Sequence, residues 1–133
     1  MTRIIDIEGI GTSNAQKLKA AGIESTEKLL DVGGSPHGRD ELSKKIGITS
    51  SQILEWVNRA DLYRIKGVGK QYSDLLEQAG VDTVVELAQR VPENLHAKML
   101  EVNKAKKFVQ RPPSLNAVKK WVGQAKALPR KIQ

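Results

Sequence analysis

No cysteine occurs anywhere in the chain. That absence removes disulfide frameworks, zinc fingers, iron-sulfur centres and cysteine nucleophiles together, and it agrees with a reducing, cytoplasmic setting. Aromatic residues are scarce as well, with two Trp, two Tyr and one Phe. Apolar runs never exceed a handful of residues and the N-terminus has no hydrophobic core region, so neither a membrane span nor a secretory signal is expected. A soluble, unprocessed protein follows from this reading.

What the chain does have is positive charge and an internal repeat. Its 133 residues carry 22 Lys and Arg against 15 Asp and Glu, a formal +7. Such a balance points to a polyanionic partner and says nothing about fold. The length suits one domain, or two units that support each other, because a unit of about 60 residues buries only about 60% of its unfolded surface. The charge is unevenly placed. Residues 1–64 hold nine basic and nine acidic side chains, and residues 65–133 hold thirteen and six. From Lys98 onward, Lys98, Lys104, Lys106, Lys107, Arg111, Lys119, Lys120, Lys126, Arg130 and Lys131 face only Glu101.

Residues 7–32 align without a gap to residues 65–90 at an offset of 58. The identities are Ile7 with Ile65, Gly9 with Gly67, Gly11 with Gly69, Leu18 with Leu76, Ala21 with Ala79, Gly22 with Gly80 and Leu29 with Leu87. A second match, at offset 65, pairs residues 53–57 with 118–122 and sets Thr49 and Ser114 in register ahead of them as N-caps. The change of offset implies an insertion, most simply a longer third helix with its loop around Arg111, Pro112 and Pro113. The chain therefore reads as one unit of about 60 residues, duplicated, with boundaries at 1–64 and 65–133.

Apolar spacing within each unit is helical throughout. Ala15, Leu18 and Ala21 make the stripe of a first helix, and Tyr72, Leu75, Leu76 and Ala79 make its counterpart. Gly22 and Gly80 stop these helices. Ser25 and Thr83 start short second helices, Thr83 with Glu86 in the form of a capping box. Pro36 and Pro92 sit in the first turns of third helices. Ile53, Trp56, Val57 and Ala60, then Val118, Trp121, Val122 and Ala125, are stripes of fourth helices. The fold class is all-α, with about eight helices in duplicated four-helix units. Both Trp residues belong to apolar stripes at equivalent positions and are assigned to the core.

Chemistry, if present, resides in two glycine turns, Ile7-Glu8-Gly9-Ile10-Gly11 and Ile65-Lys66-Gly67-Val68-Gly69. Two glycines around one apolar residue allow a sharp bend with positive φ while Ile10 or Val68 plugs inward. Each turn opens into a helix whose first amides lack intrahelical partners, so an anionic oxygen can be held without a charged side chain. Phosphate, with several acceptor oxygens, suits this better than carboxylate.

This pattern resembles the helix-hairpin-helix motif of DNA repair and recombination proteins. Its pairing with Ala-Gly-Ile/Val and a capped short helix also resembles an uncharacterised domain-of-unknown-function family with two such units, over residues 4–128. The resemblance implies that Gly9, Gly11 and Thr12, and Gly67, Gly69 and Lys70, offer backbone amides to duplex phosphates across the minor groove. It also implies that hairpin carbonyls can hold a monovalent cation; no other cofactor is expected.

The copies are not equivalent. A helix over residues 50–62 precedes the second turn, whereas only eight residues precede Gly9, so the first motif is expected to lack its leading helix and to leave a groove open. Lys66, Lys70 and Tyr72 replace Glu8, Thr12 and Asn14. A glutamate repels a phosphate and a lysine attracts it, which makes the second turn, with Lys66 and Lys70, the expected working copy. The helix over 115–127 is the repeat equivalent of the one before Gly67, and docking it ahead of Gly9 of a neighbour would give head-to-tail self-association.

The basic stretch is read as a phosphate-contacting surface formed by Lys98, Lys104, Lys107, Arg111, Lys119, Lys120, Lys126, Arg130 and Lys131. Single-strand and RNA modules stack bases on exposed aromatics, and only Tyr63, Tyr72 and Phe108 are left for that role. His37 and His96 lie in different units with no third ligand or nucleophile pattern, and no P-loop follows either glycine pair. The sequence thus points to a non-catalytic protein that binds duplex DNA largely without sequence preference. The alternative is a protein-protein adaptor that uses the turns and the open first groove.

Overall fold

The computed structural model describes residues 3–7 and 9–133. Among these residues the structure is all-helical and contains no strand. The chain separates into two compact units, Met1–Asp61 with Arg130–Gln133, and Leu62–Pro129.

The first unit opens with a 3-10 turn, Ile4–Asp6, followed by α1 (Gly11–Ala20), α2 (Thr26–Gly33), α3 (Pro36–Ile46) and α4 (Ser50–Leu62), whose last residue falls in the second unit. The second unit holds α5 (Lys70–Gln78), α6 (Val84–Ala88), α7 (Pro92–Ala105) and α8 (Leu115–Ala127). In the first unit α1 packs on the 3-10 turn and α2 on α3; in the second, α8 packs on α6 and α7, and α7 on α5.

Local signals account for nearly every helix boundary. Ser25, Ser35, Thr83 and Ser114 cap α2, α3, α6 and α8 with side-chain oxygens that accept amides three residues on, at 3.0–3.2 Å. Thr49 does the same for Gln52 at the start of α4. Pro36 and Pro92 occupy the first turns of α3 and α7, where the missing N–H has no cost. Helices α1 and α5 end alike. Gly22 and Gly80 adopt φ of 85° and 96°, and the amides of Ile23 and Val81 return to the carbonyls of Leu18 and Leu76, both at 2.9 Å. All four of those apolar side chains are buried, which closes each stop with a hydrophobic contact.

The stripes read from sequence form the two cores. In the first unit Leu18, Ile23, Leu29, Ile53, Trp56 and Val57 are buried; in the second, Leu75, Leu76, Leu87, Leu95, Met99, Val118, Trp121 and Val122 are. Both Trp residues are core, as their periodicity indicates. The third helix is 11 residues in the first unit and 14 in the second, and the connection after it runs 47–49 in one and 106–114 in the other. That is the insertion that the change of repeat offset requires.

Two placements depart from the sequence boundaries, and the smaller is that residues 62–64 fall in the second unit. Arg130–Gln133 belongs with the first unit. The Gln133 amide donates to the Gly34 carbonyl at 2.7 Å, and the buried Arg39 guanidinium holds the Gln133 carbonyl at 3.0 Å and that of Gly33 at 2.9 Å. Lys131 meets Asp31 at 3.8 Å. Sequence proximity had placed these residues with the second unit, but a buried guanidinium needs carbonyl partners and takes one from this segment.

Candidate nucleic-acid interface

The two glycine turns share one backbone design. In each, the residue three before the plug closes a tight turn: Ile7 N–H donates to Ile4 and Ile10 N–H to Ile7, just as Ile65 N–H donates to Leu62 and Val68 N–H to Ile65, all at 3.1–3.2 Å. Ile10 and Val68 are buried, which confirms that the middle residue plugs inward. Gly9 and Gly67 both adopt positive φ, 80° and 95°.

The second glycines differ. Gly11 has φ of 73°, but Gly69 is extended, with φ of −106°, and serves as the N-cap of α5. Positive φ was expected at all four glycines and occurs at three. At Gly69 a Cβ would meet no atom within 4 Å, so neither conformation nor space demands glycine there. At Gly67 both do, since a Cβ would lie 3.0 Å from the indole nitrogen of Trp121.

Around the second turn a set of side chains fixes the backbone. Gln124 on α8 accepts the Lys66 amide at 2.9 Å and donates to the Lys66 carbonyl at 3.1 Å. Trp121, one helical turn earlier on α8, backs Gly67 and meets the Tyr72 ring at a centroid separation of 5.3 Å, tilted by 53°. Tyr72 Oη in turn donates to the Arg111 carbonyl at 2.9 Å. Ser73, fully buried, donates to the Lys70 carbonyl at 2.8 Å. The Gly67 and Gly69 amides carry no hydrogen-bond partner among the described residues. Lys66 and Lys70 extend from this rigid base into solvent, Lys70 as the first residue of α5.

The first turn is simpler. Its repeat positions for Tyr72 and Gln124 are Asn14 and Arg59, and a Cβ at Gly9 or Gly11 would touch nothing within 4 Å. Glu8, the residue opposed to Lys66 in the sequence comparison, lies outside the described residues. Thr12 is exposed on α1 and lines a groove of about 670 Å³, together with Ile4, Ile5 and Ala15. Arg3, Lys19 and Lys28 rim that groove against Glu24.

The basic surface residues fall into two groups. Lys98, Lys104, Lys107, Arg111, Lys119, Lys120 and Lys126 all lie in the second unit, are exposed, and form no ion pair among the described residues. Arg130 and Lys131 do not join them: both lie in the first unit, where Lys131 pairs with Asp31 and Arg130 Nε donates to the Ile132 carbonyl at 2.8 Å. The second unit then holds twelve basic and six acidic residues, and the first holds ten and nine. His37 is exposed beside Glu41 at 4.0 Å, and His96 Nε2 meets the Pro113 carbonyl at 3.0 Å. No group of three or more potential metal-ligating side chains occurs among the described residues. No described helix is long and apolar enough to cross a membrane.

One residue that matters here escaped the sequence reading. Asn103 is buried on α7; its Oδ1 accepts the Phe108 amide at 2.8 Å and the Val109 amide at 3.0 Å, while its Nδ2 donates to the Val109 carbonyl at 3.3 Å. The signal was available: Asn103 extends the Leu95 and Met99 stripe at the same spacing of four, and a polar residue on an apolar stripe must find partners. Phe108, off the stripe, is half-buried against the core, with Lys106 Nζ 5.5 Å from its ring centroid.

Among the described residues, eight α-helices in two units, each with a glycine turn leading into its first α-helix, define a small duplicated all-α protein. It belongs to the family described as a domain of unknown function, DUF4332, whose model matches residues 8–128. No curated protein and no solved structure matches the chain.

Proposed function

We propose that the chain is a non-catalytic duplex DNA-binding protein that holds the phosphate backbone with its second unit. The supporting observation is that the second unit carries, among the described residues, Gly67 and Gly69 amides without a hydrogen-bond partner and seven exposed lysines and arginines without an acidic partner, and holds twelve basic against six acidic residues. On this reading the turns are the hairpins of two helix-hairpin-helix units. Amides at the start of α5 take phosphate oxygens, and the lysines supply the longer-range attraction.

The aromatics favour duplex over single strand. Trp56 and Trp121 are buried, and Tyr63, Tyr72 and Phe108 are half-buried, which leaves no exposed ring for stacking. With contact made chiefly to phosphates, sequence preference is small. A random duplex should bind with a log-log salt slope of several units, close to 0.9 for each phosphate neutralised. Lys66→Glu and Lys70→Glu should weaken binding more than Thr12→Glu does. No binding at low salt, or equal effects of these substitutions, overturns this reading.

One observation favours a second reading, that of a protein-protein adaptor. The groove beside the 3-10 turn and α1 is partly apolar, and Ile5 on its wall is 37% exposed. Capture of a protein from lysate that is lost on Ile5→Glu and Ala15→Glu, with duplex binding absent, would select it.

A further inference from the structure

We infer that the connection 106–114 is a preformed phosphodiester-binding loop, held beside the first turn of α5, and that Asn103 and Tyr72 are its positioning residues. The inference rests on the duplex reading above and gives it a second contact, separate from the glycine turn.

The connection is not needed to build the unit. The first unit makes the same passage from third to fourth helix with residues 47–49 alone. Yet the longer version is fastened at three points by side chains from two helices. Asn103 holds Phe108 and Val109, Tyr72 holds the Arg111 carbonyl, and His96 holds the Pro113 carbonyl. Val109 and Pro113 are buried, and Pro112-Pro113 restricts the backbone further. The repeat position of Tyr72 is Asn14, which cannot reach as far.

These fastenings turn the backbone polar groups inward and the cations outward. Carbonyls of Val109, Arg111 and Pro113 are taken up internally, while Lys106, Lys107 and Arg111 are exposed. None of the three forms an ion pair among the described residues, and residues 106–114 contain no acidic side chain. A solvated loop with three like charges would normally spread. Here its ordering cost is met on folding, so a polyanion does not meet it on binding. Tyr72 also fixes the location: it lies two residues beyond Lys70, so its bond to Arg111 sets the loop against the same helix start that carries the free amides.

The test is fluorescence anisotropy with a labelled random duplex of about 20 base pairs over a salt series, using the full chain. Lys106→Gln/Lys107→Gln/Arg111→Gln should lower the salt slope by about two to three, because each neutralised phosphate contact contributes about 0.9. Asn103→Ala should weaken affinity about tenfold at low salt and leave the slope unchanged, since the cations remain and only their ordering is lost. Tyr72→Phe keeps the ring on Trp121 and frees only the Arg111 end; it should weaken binding about threefold, which covers the case in which Asn103→Ala fails to fold. A triple variant with the wild-type slope overturns the loop as a contact while wild-type binding keeps the duplex reading. Wild-type affinity in Tyr72→Phe and in folded Asn103→Ala overturns the positioning role. Failure of the wild-type chain to bind duplex, or binding of anionic phospholipid vesicles in its place, overturns both.

Discussion

Two glycines two residues apart, Gly67 and Gly69, have opposite requirements. Gly67 combines φ of 95° with an indole against its back, and Gly69 is extended with open space around it. Gly67→Ala should therefore cost about 2 kcal/mol or more, and Gly69→Ala should stay within about 0.5 kcal/mol of wild type, as measured by urea denaturation. The residue type could not tell them apart, because glycine states which conformations are allowed and not which is used. Packing decides. Trp121 reaches Gly67 from α8, more than 50 residues away in sequence, and that contact has no local signature. Buried Asn103 was more legible, since its break in an apolar stripe marks a polar group that must be satisfied, although its partners Phe108 and Val109 are fixed only by the bend after α7.

Elements were readable where their ends carry their own chemistry. Ser25, Ser35, Thr49, Thr83 and Ser114 were identifiable as caps because an N-cap needs only one side-chain oxygen and an amide three residues on. Ser114→Ala should accordingly cost about 1 kcal/mol and lower the urea midpoint without changing the slope of the transition. Ser114 also ends the basic connection, so the same variant tests how firmly α8 begins. Other segments left no such trace. The 3-10 turn at Ile4–Asp6 is three residues long, too short for periodicity, and what ties it to the rest of the unit is non-local, the Ile4 amide on the Glu24 carbonyl at 3.2 Å and packing against α1. The return of Gln133 to Gly34 spans about three quarters of the chain and is held by Arg39, a cation that charge counting treats as surface. Its burial reverses that assumption.

At the scale of the whole molecule, the formal +7 divides into +6 on the second unit and +1 on the first. The sequence asymmetry was right in direction but credited Arg130 and Lys131 to the second unit and Arg64 to the first, the reverse of where the structure has them, because covalent order is a poor guide where a chain folds back and where one helix runs past a unit boundary. If phosphate contact follows this division, Lys119→Gln/Lys120→Gln/Lys126→Gln should reduce the salt slope of duplex binding. The matched set Lys17→Gln/Lys44→Gln/Lys45→Gln, equal in charge change and equally exposed, should leave it within about half a unit. Equal reductions would mean that net charge alone governs binding. Duplication has one more consequence. Each unit buries a single indole at the same repeat position, Trp56 in one and Trp121 in the other, and Trp121 backs Gly67 of the second turn. The protein thus carries one buried optical reporter in each unit. With Trp56 replaced by Phe, emission from Trp121 alone reads the state of the second turn, and the converse variant supplies an internal blank.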